Sequence, residues 1–283
     1  MSTQSVSLVF LSTATAICIA IIYHLLSAKK KPIALDPTSF KAFQLISKTQ
    51  MNSNTFHFIF DLKNKDAVLG LGLGQCIVIR AKNPIDGKLV TRSYTPISRL
   101  DATGKVELLI KVYPKGIVTN VMKNMEIGDS IEMRGPKGNF SYTPNTLSKI
   151  LMIAGGSGIT PMYQVINEII RDPTDKTKIT LLYANIAHAD ILLHKELDEL
   201  AEMFSERLEI CYVLEKEPEN WNGEVGFITK DIITKYTEKV VSNTKALLCG
   251  PLPMIKAMET HLVDIGFEPA KIISKPQDHI FKF

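Results

Sequence analysis

The stretch ILMIAGGSGITPMYQVINEII, residues 150–170, decides the fold class. Ile150 to Ala154 is a short apolar run that reads as a strand, and Met162 to Ile170 reads as a helix. Between them lies Gly155-Gly156-Ser157-Gly158-Ile159-Thr160-Pro161, a turn whose proline suits a first helical turn. Glycines there let the backbone approach an anion, and the amides at a helix start favour negative charge. The layout is a phosphate cradle, although a plain strand-to-helix turn uses the same residues. Downstream, strands are predicted at Ile179 to Ala184, Leu208 to Leu214 and Lys245 to Cys249, with helices at Ile191 to Phe204 and Met254 to Ile265. Strand and helix in alternation predict a parallel sheet with helices on its faces. Ligands bind at the carboxyl ends of such strands, which favours the cradle over the plain turn.

Upstream the texture is different. Short apolar runs, FHFIF at 56–60, QCIVIR at 75–80, VELLIKVY at 106–113 and SIEMR at 130–134, are separated by turn signals such as Asp86-Gly87, Thr103-Gly104, Gly128-Asp129 and Gly135-Pro136. That pattern predicts a small antiparallel barrel. Within it, Arg92 and Tyr94 are two residues apart on a strand and share a face, where a guanidinium can fork a phosphate and a ring can stack on a flat ligand. Lys111 and Tyr113 repeat the arrangement just before Gly116, at a helix start. Each pair could equally be a solvated surface; two in one barrel point to a nucleotide. Late in the chain Cys249-Gly250-Pro251-Leu252-Pro253-Met254 ends a strand with a thiol, a turn and a helix start, and the bland reading of the thiol is burial.

The amino terminus is a separate unit. Val6 to Leu26 carries no charge and is followed by Lys29-Lys30-Lys31. About twenty residues at ~1.5 Å each cross a ~30 Å hydrocarbon layer. A cleaved signal peptide would want its positive charge before the apolar run, so a transmembrane anchor is expected. The lysines place Met1 to Ser5 across the membrane and everything after Lys31 in the cytosol. Without those three lysines the charge count of 33 basic and 29 acidic residues becomes 30 against 29, which argues against nucleic-acid binding. Four scattered cysteines and six histidines show no metal-binding spacing, so no metal is expected, and the reducing cytosol agrees with unpaired thiols. The organisation expected is an outer tail 1–5, an anchor 6–26, a basic linker 27–37, a barrel 38–144 and an α/β domain 145–283.

In this order the four segments resemble those of the ferredoxin-reductase-like flavoenzymes, and among them the microsomal, membrane-anchored NADH–cytochrome b5 reductases. The resemblance spans residues 40 to 283 together with the anchor. It implies an FAD-binding barrel and an NADH-binding α/β domain. Arg92 would meet the flavin pyrophosphate, Tyr94 the flavin or its ribityl chain and Thr95 the reactive edge, with Lys111, Tyr113, Gly116, Val118 and Thr119 completing the FAD site. Gly155, Gly156, Ser157, Gly158 and Thr160 would hold NADH, its pyrophosphate at Gly156 and Gly158. Cys249, with Gly250, Pro251 and Met254, would lie beside the nicotinamide, and Glu215 would bind the ribose. Thr95, Lys111 and Cys249 are thereby implied at the reacting centre. Trp221 and Gly226-Phe227 fit the stretch after Glu215, and Lys271 to Phe283 fits the family's tail.

The implied activity takes hydride from NADH onto FAD and passes electrons singly to cytochrome b5 or a similar small acceptor. In fungi-like relatives the resemblance extends to a diphthamide-pathway iron protein as acceptor. Endoplasmic reticulum or mitochondrial outer membrane is the implied location, and a monomer is expected. Three departures stand out: Leu252 replaces a proline, and Cys76 and Ser53 stand where histidine is common. The rivals are a quinone, iron-chelate or NADPH reductase on the same scaffold, and a membrane tether without catalysis.

Overall fold

The structure, a computed structural model, describes residues 30–237, 240 and 243–283. The expected tail 1–5, the anchor 6–26 and Lys29 lie outside the described residues. The chain divides into two units, Met1–Pro32 and Ile33–Phe283. Among the described residues no helix is long and apolar enough to cross a membrane.

The second unit begins inside the stretch expected to be linker. Ala34 N–H donates to the Val68 carbonyl at 2.9 Å, and Leu35 is buried. Six strands follow: β1 (Lys41–Gln50), β2 (Thr55–Asp61), β3 (Cys76–Lys82), β4 (Leu89–Tyr94), β5 (Lys105–Lys111) and β6 (Ser130–Lys137). They form one antiparallel sheet in the order β4-β3-β6-β1-β2-β5. The alternation of the sequence shows why they pair. Phe43 and Leu45, Phe56, Phe58 and Phe60, Ile77 and Ile79, Val106, Leu108 and Ile110, and Ile131 and Met133 all point into one core. A sheet whose strands all bury one face in the same core must curl. Among the described residues no ladder joins the edge strands β4 and β5, and α1 (Ile117–Asn124) packs beside β3 and β4, adding Val118 and Met122 to that core. The barrel is therefore a curled sheet with a helix laid on it.

The second half holds β7 (Lys149–Gly155), α2 (Ile159–Arg171), β8 (Lys178–Asn185), α3 (His194–Met203), β9 (Leu208–Leu214), β10 (Glu224–Val225), α4 (Lys230–Tyr236), β11 (Thr244–Cys249), α5 (Leu252–Asp264) and β12 (Ile280–Lys282). Its sheet is parallel, in the order β10-β9-β8-β7-β11-β12. Central β7 is covered on both faces, with Ile150, Met152 and Ala154 packing towards α2 and α3, and Leu151 and Ile153 towards α4 and α5. Strand order reverses at β7, between β8 and β11, and that is where the glycine turn emerges.

Two expectations are corrected. The helix expected from Ile191 starts at His194, because Leu193 takes a left-handed backbone (φ 58°) after a short turn at His188–Asp190. Strands β1, β10 and β12 and helix α4 appear where no element was expected.

Candidate active site between the two halves

Leu109 and Phe140 of the first half belong to the same core as β7 and α2, so the halves share packing as well as a boundary. Polar contacts then fix their register. Gly74 N–H donates to Gln164 Oε1 at 2.7 Å, and Gln164 Nε2 donates to the Gln75 carbonyl at 3.2 Å. Beside this clamp lies a cavity of about 670 Å³ whose wall draws on both halves.

From the first half, β4 supplies Arg92 and Tyr94 to that wall, followed by Thr95. Strand alternation puts the first two on one face; their partners across the ladder on β3 are Ile79 and Ile77. The Arg92 guanidinium donates to the Thr91 carbonyl at 2.8 Å and is otherwise exposed. Burial pushes the Tyr94 hydroxyl up to about 12, so it stays protonated. Lys111 and Tyr113 leave the end of β5, and Gly116, Val118 and Thr119 open α1. That helix has no side-chain cap and no acidic residue in its first turn, and Gly116 to Thr119 line the cavity, so the positive end of the helix lies at the wall and suits an anion.

From the second half come Gly155, Ser157, Gly158 and Thr160, and then Cys249, Gly250 and Pro251. Cys249 pairs with Ala154 across the ladder, so the ends of β7 and β11 stand side by side. The glycines serve two purposes. A Cβ on Gly158 would lie 2.2 Å from the Cys249 carbonyl oxygen, so this glycine permits two turns to touch. Gly156 is left-handed (φ +52°) with nothing within 4 Å of an added Cβ, so it opens the turn to a ligand. Tyr183 OH donates to the Gly156 carbonyl at 3.0 Å and holds that turn in place. Burial pushes the Cys249 thiol up to about 12.

Gly156, Glu215 and Met254 are the expected site residues that do not line the wall. Gly156 faces open space beside it, Met254 packs its sulfur against Gly155 and Gly250, and Glu215 stands exposed at the end of β9. Sequence reasoning missed Cys76, Lys137, Gly138 and Asn139 as wall residues, and reached Phe281, Lys282 and Phe283 only through the tail. β12 pairs with β11 and brings Phe283 in, its N–H donating to the Leu248 carbonyl at 3.0 Å. Asp190 was also missed: its Oδ1 lies 3.2 Å from Lys111 Nζ, across the two halves.

The cavity fits a flavin and a dinucleotide. Two sets of backbone amides can receive anions, a guanidinium stands beside one of them, and tyrosine and phenylalanine rings offer flat apolar wall. Residues 42–142 match the oxidoreductase FAD-binding domain, and residues 152–260 match the oxidoreductase NAD-binding domain. NADH-cytochrome b5 reductase 1 of Candida albicans is 47% identical over 278 residues, covering 98% of this chain and 94% of that one. The chain belongs to the NADH–cytochrome b5 reductase family. The Arabidopsis thaliana member is 43% identical to this reductase, covering 87% of the present chain and 88% of its own. Among solved structures, the cytochrome b5 reductase domain of Ulva prolifera nitrate reductase superposes with a TM-score of 0.81 at 34% identity, covering 90% of the reductase and 100% of that domain.

Proposed function

We propose that this chain draws reducing equivalents from NADH, through FAD, and delivers them singly to cytochrome b5. The observation that carries this reading is one cavity where the Arg92–Tyr94 strand, the uncapped start of α1 and the glycine turn after β7 converge. The chemistry the bound cofactors supply is hydride acceptance from the nicotinamide followed by one-electron release.

The protein's role is binding, orientation and exclusion of water. Arg92 and the leading amides of α1 suit the flavin pyrophosphate, and Tyr94 gives the flavin a wall. The turn at Gly155 to Thr160 suits the NADH pyrophosphate, and its place beside Cys249 keeps the two ligands in one enclosure. Protonated at neutral pH, the Cys249 thiol acts there as apolar wall and not as a nucleophile. Val6 to Leu26 serves as a single-pass anchor in this proposal, with the catalytic unit in the cytosol at the endoplasmic reticulum or the mitochondrial outer membrane. The charge-free run and its lysine stop support the anchor.

The purified chain should be yellow, should bleach on anaerobic addition of NADH and should then reduce cytochrome b5. A colourless preparation, or one that NADH leaves oxidised, would overturn the reading.

A further inference from the structure

Lys111 is only 14% exposed, and among the described residues its ammonium has one carboxylate within 4 Å, that of Asp190 at 3.2 Å. The two residues come from different halves. Lys111 ends β5, whereas Asp190 closes the short turn that follows β8. That turn is tied down elsewhere. Asn52, from the turn between β1 and β2, donates its side-chain amide to the Ala189 carbonyl at 3.3 Å. Beyond the turn, Leu192 N–H donates to the Tyr183 hydroxyl at 3.2 Å, and that hydroxyl donates to Gly156. A run of polar contacts therefore links the glycine turn to the segment that carries Asp190, and Asp190 to the cation in the cavity wall.

From this geometry we infer that Asp190 is a positioning residue for hydride transfer: it fixes the Lys111 ammonium against the α/β half, so that the cation meets the dinucleotide in one place. The inference rests on the reading of the cavity as a hydride-transfer site. A lysine is a point charge on a flexible four-carbon stem, and it helps orientation only when something holds it. The contact uses one carboxylate oxygen, so the ammonium keeps hydrogens for a ligand while it stays paired. Small misplacements at a reacting centre carry a large rate cost, which makes such a tether worth testing.

The test compares the wild-type, FAD-loaded full chain with Asp190→Ala, Asp190→Asn and Asp190→Glu. The first readout is labelling of Lys111 by acetic anhydride, followed by mass spectrometry relative to the exposed Lys115. Asp190→Ala should raise that ratio about threefold, because the stem is released. The second is the single-turnover rate of flavin reduction at saturating NADH, which should fall about tenfold with flavin content and Tm unchanged. Asp190→Glu should restore some of both, and Asp190→Asn, which keeps an acceptor without the charge, should fall between. An unchanged labelling ratio in Asp190→Ala would overturn the tether. A rate loss matched by lost flavin and lowered Tm would overturn positioning in favour of plain scaffolding. Wild-type protein that binds no flavin would overturn the hydride-site reading itself, and its missing colour tells that failure from the other two.

Discussion

A thiol reacts as its thiolate, so the pH at which Cys249 ionises decides what it can do. Burial raises that value to about 12, which means the thiol form prevails at every pH below it and reactivity climbs as pH rises towards it. Alkylation of Cys249 by iodoacetamide should therefore be far slower than that of free cysteine at pH 8, and should rise about tenfold per pH unit up to about pH 10. Peptide mapping of the labelled protein checks this; labelling at the free-cysteine rate would show that the thiol is neither buried nor protonated. Glu215 poses the opposite case, an exposed group whose effect is on a ligand. It follows β9, at the carboxyl end of the parallel sheet, and its N–H donates to the Asn185 carbonyl at 3.1 Å. In the proposed reading, a carboxylate there would accept bonds from ribose hydroxyls and repel a 2′-phosphate. Exposure weakens that repulsion, so Glu215→Thr should raise the NADPH rate relative to NADH by about tenfold and not by thousands. An unmoved ratio in steady-state assays would assign cofactor choice to another residue.

Two strand-to-helix turns standing back to back make the second half work as an element pair. Gly158 sits in a right-handed backbone, φ −64°, where alanine is at ease, yet its Cβ would meet the Cys249 carbonyl at 2.2 Å. Gly156 has the reverse problem, a left-handed φ of +52° and free space. Alanine at Gly156 should cost about 1–2 kcal/mol through strain alone. Alanine at Gly158 must push the facing backbones apart, so Gly158→Ala should lower the Tm further than Gly156→Ala and also weaken NADH binding. Thermal melts with and without NADH decide it; equal loss in both would mean that the two turns do not press on each other. The same pair shows what was legible in the chain. β7 and α2 were readable because a buried parallel strand needs an unbroken apolar run and a helix start needs its glycine turn. β1 was not, because KAFQLISKTQ buries only Phe43 and Leu45 and gives most of its other positions to polar groups. β12 is three residues long and exists through pairing with β11, more than thirty positions earlier in the chain, which no local pattern encodes. The cavity was readable through its four segments, yet the Lys111–Asp190 pair joins residues 79 apart and shows only when both halves fold.

At the scale of the whole molecule, every described residue of the cavity wall belongs to one unit. Ile33–Phe283 contains both sheets, the Gln164 clamp and every wall residue named above, and Ile33 and Ala34 tie its start to Val68. A chain shortened to begin at Pro32 should therefore fold, hold FAD and reduce ferricyanide with NADH at the full rate, since a small soluble acceptor needs only the flavin. Its behaviour towards cytochrome b5 embedded in vesicles should differ. If Val6 to Leu26 is an anchor, the full chain and its acceptor share a surface, and confinement raises their effective concentration without any new contact. Removing the anchor should then lower the rate towards vesicle-bound cytochrome b5 by about tenfold or more, while the rate towards a soluble cytochrome b5 fragment stays as it was. Sedimentation with vesicles supplies the independent check, because the full chain should pellet and the shortened one remain in solution. Equal rates on vesicles would remove the anchor from the proposal, and a shortened chain that purifies colourless would show that the residues before Pro32 help to build the flavin site.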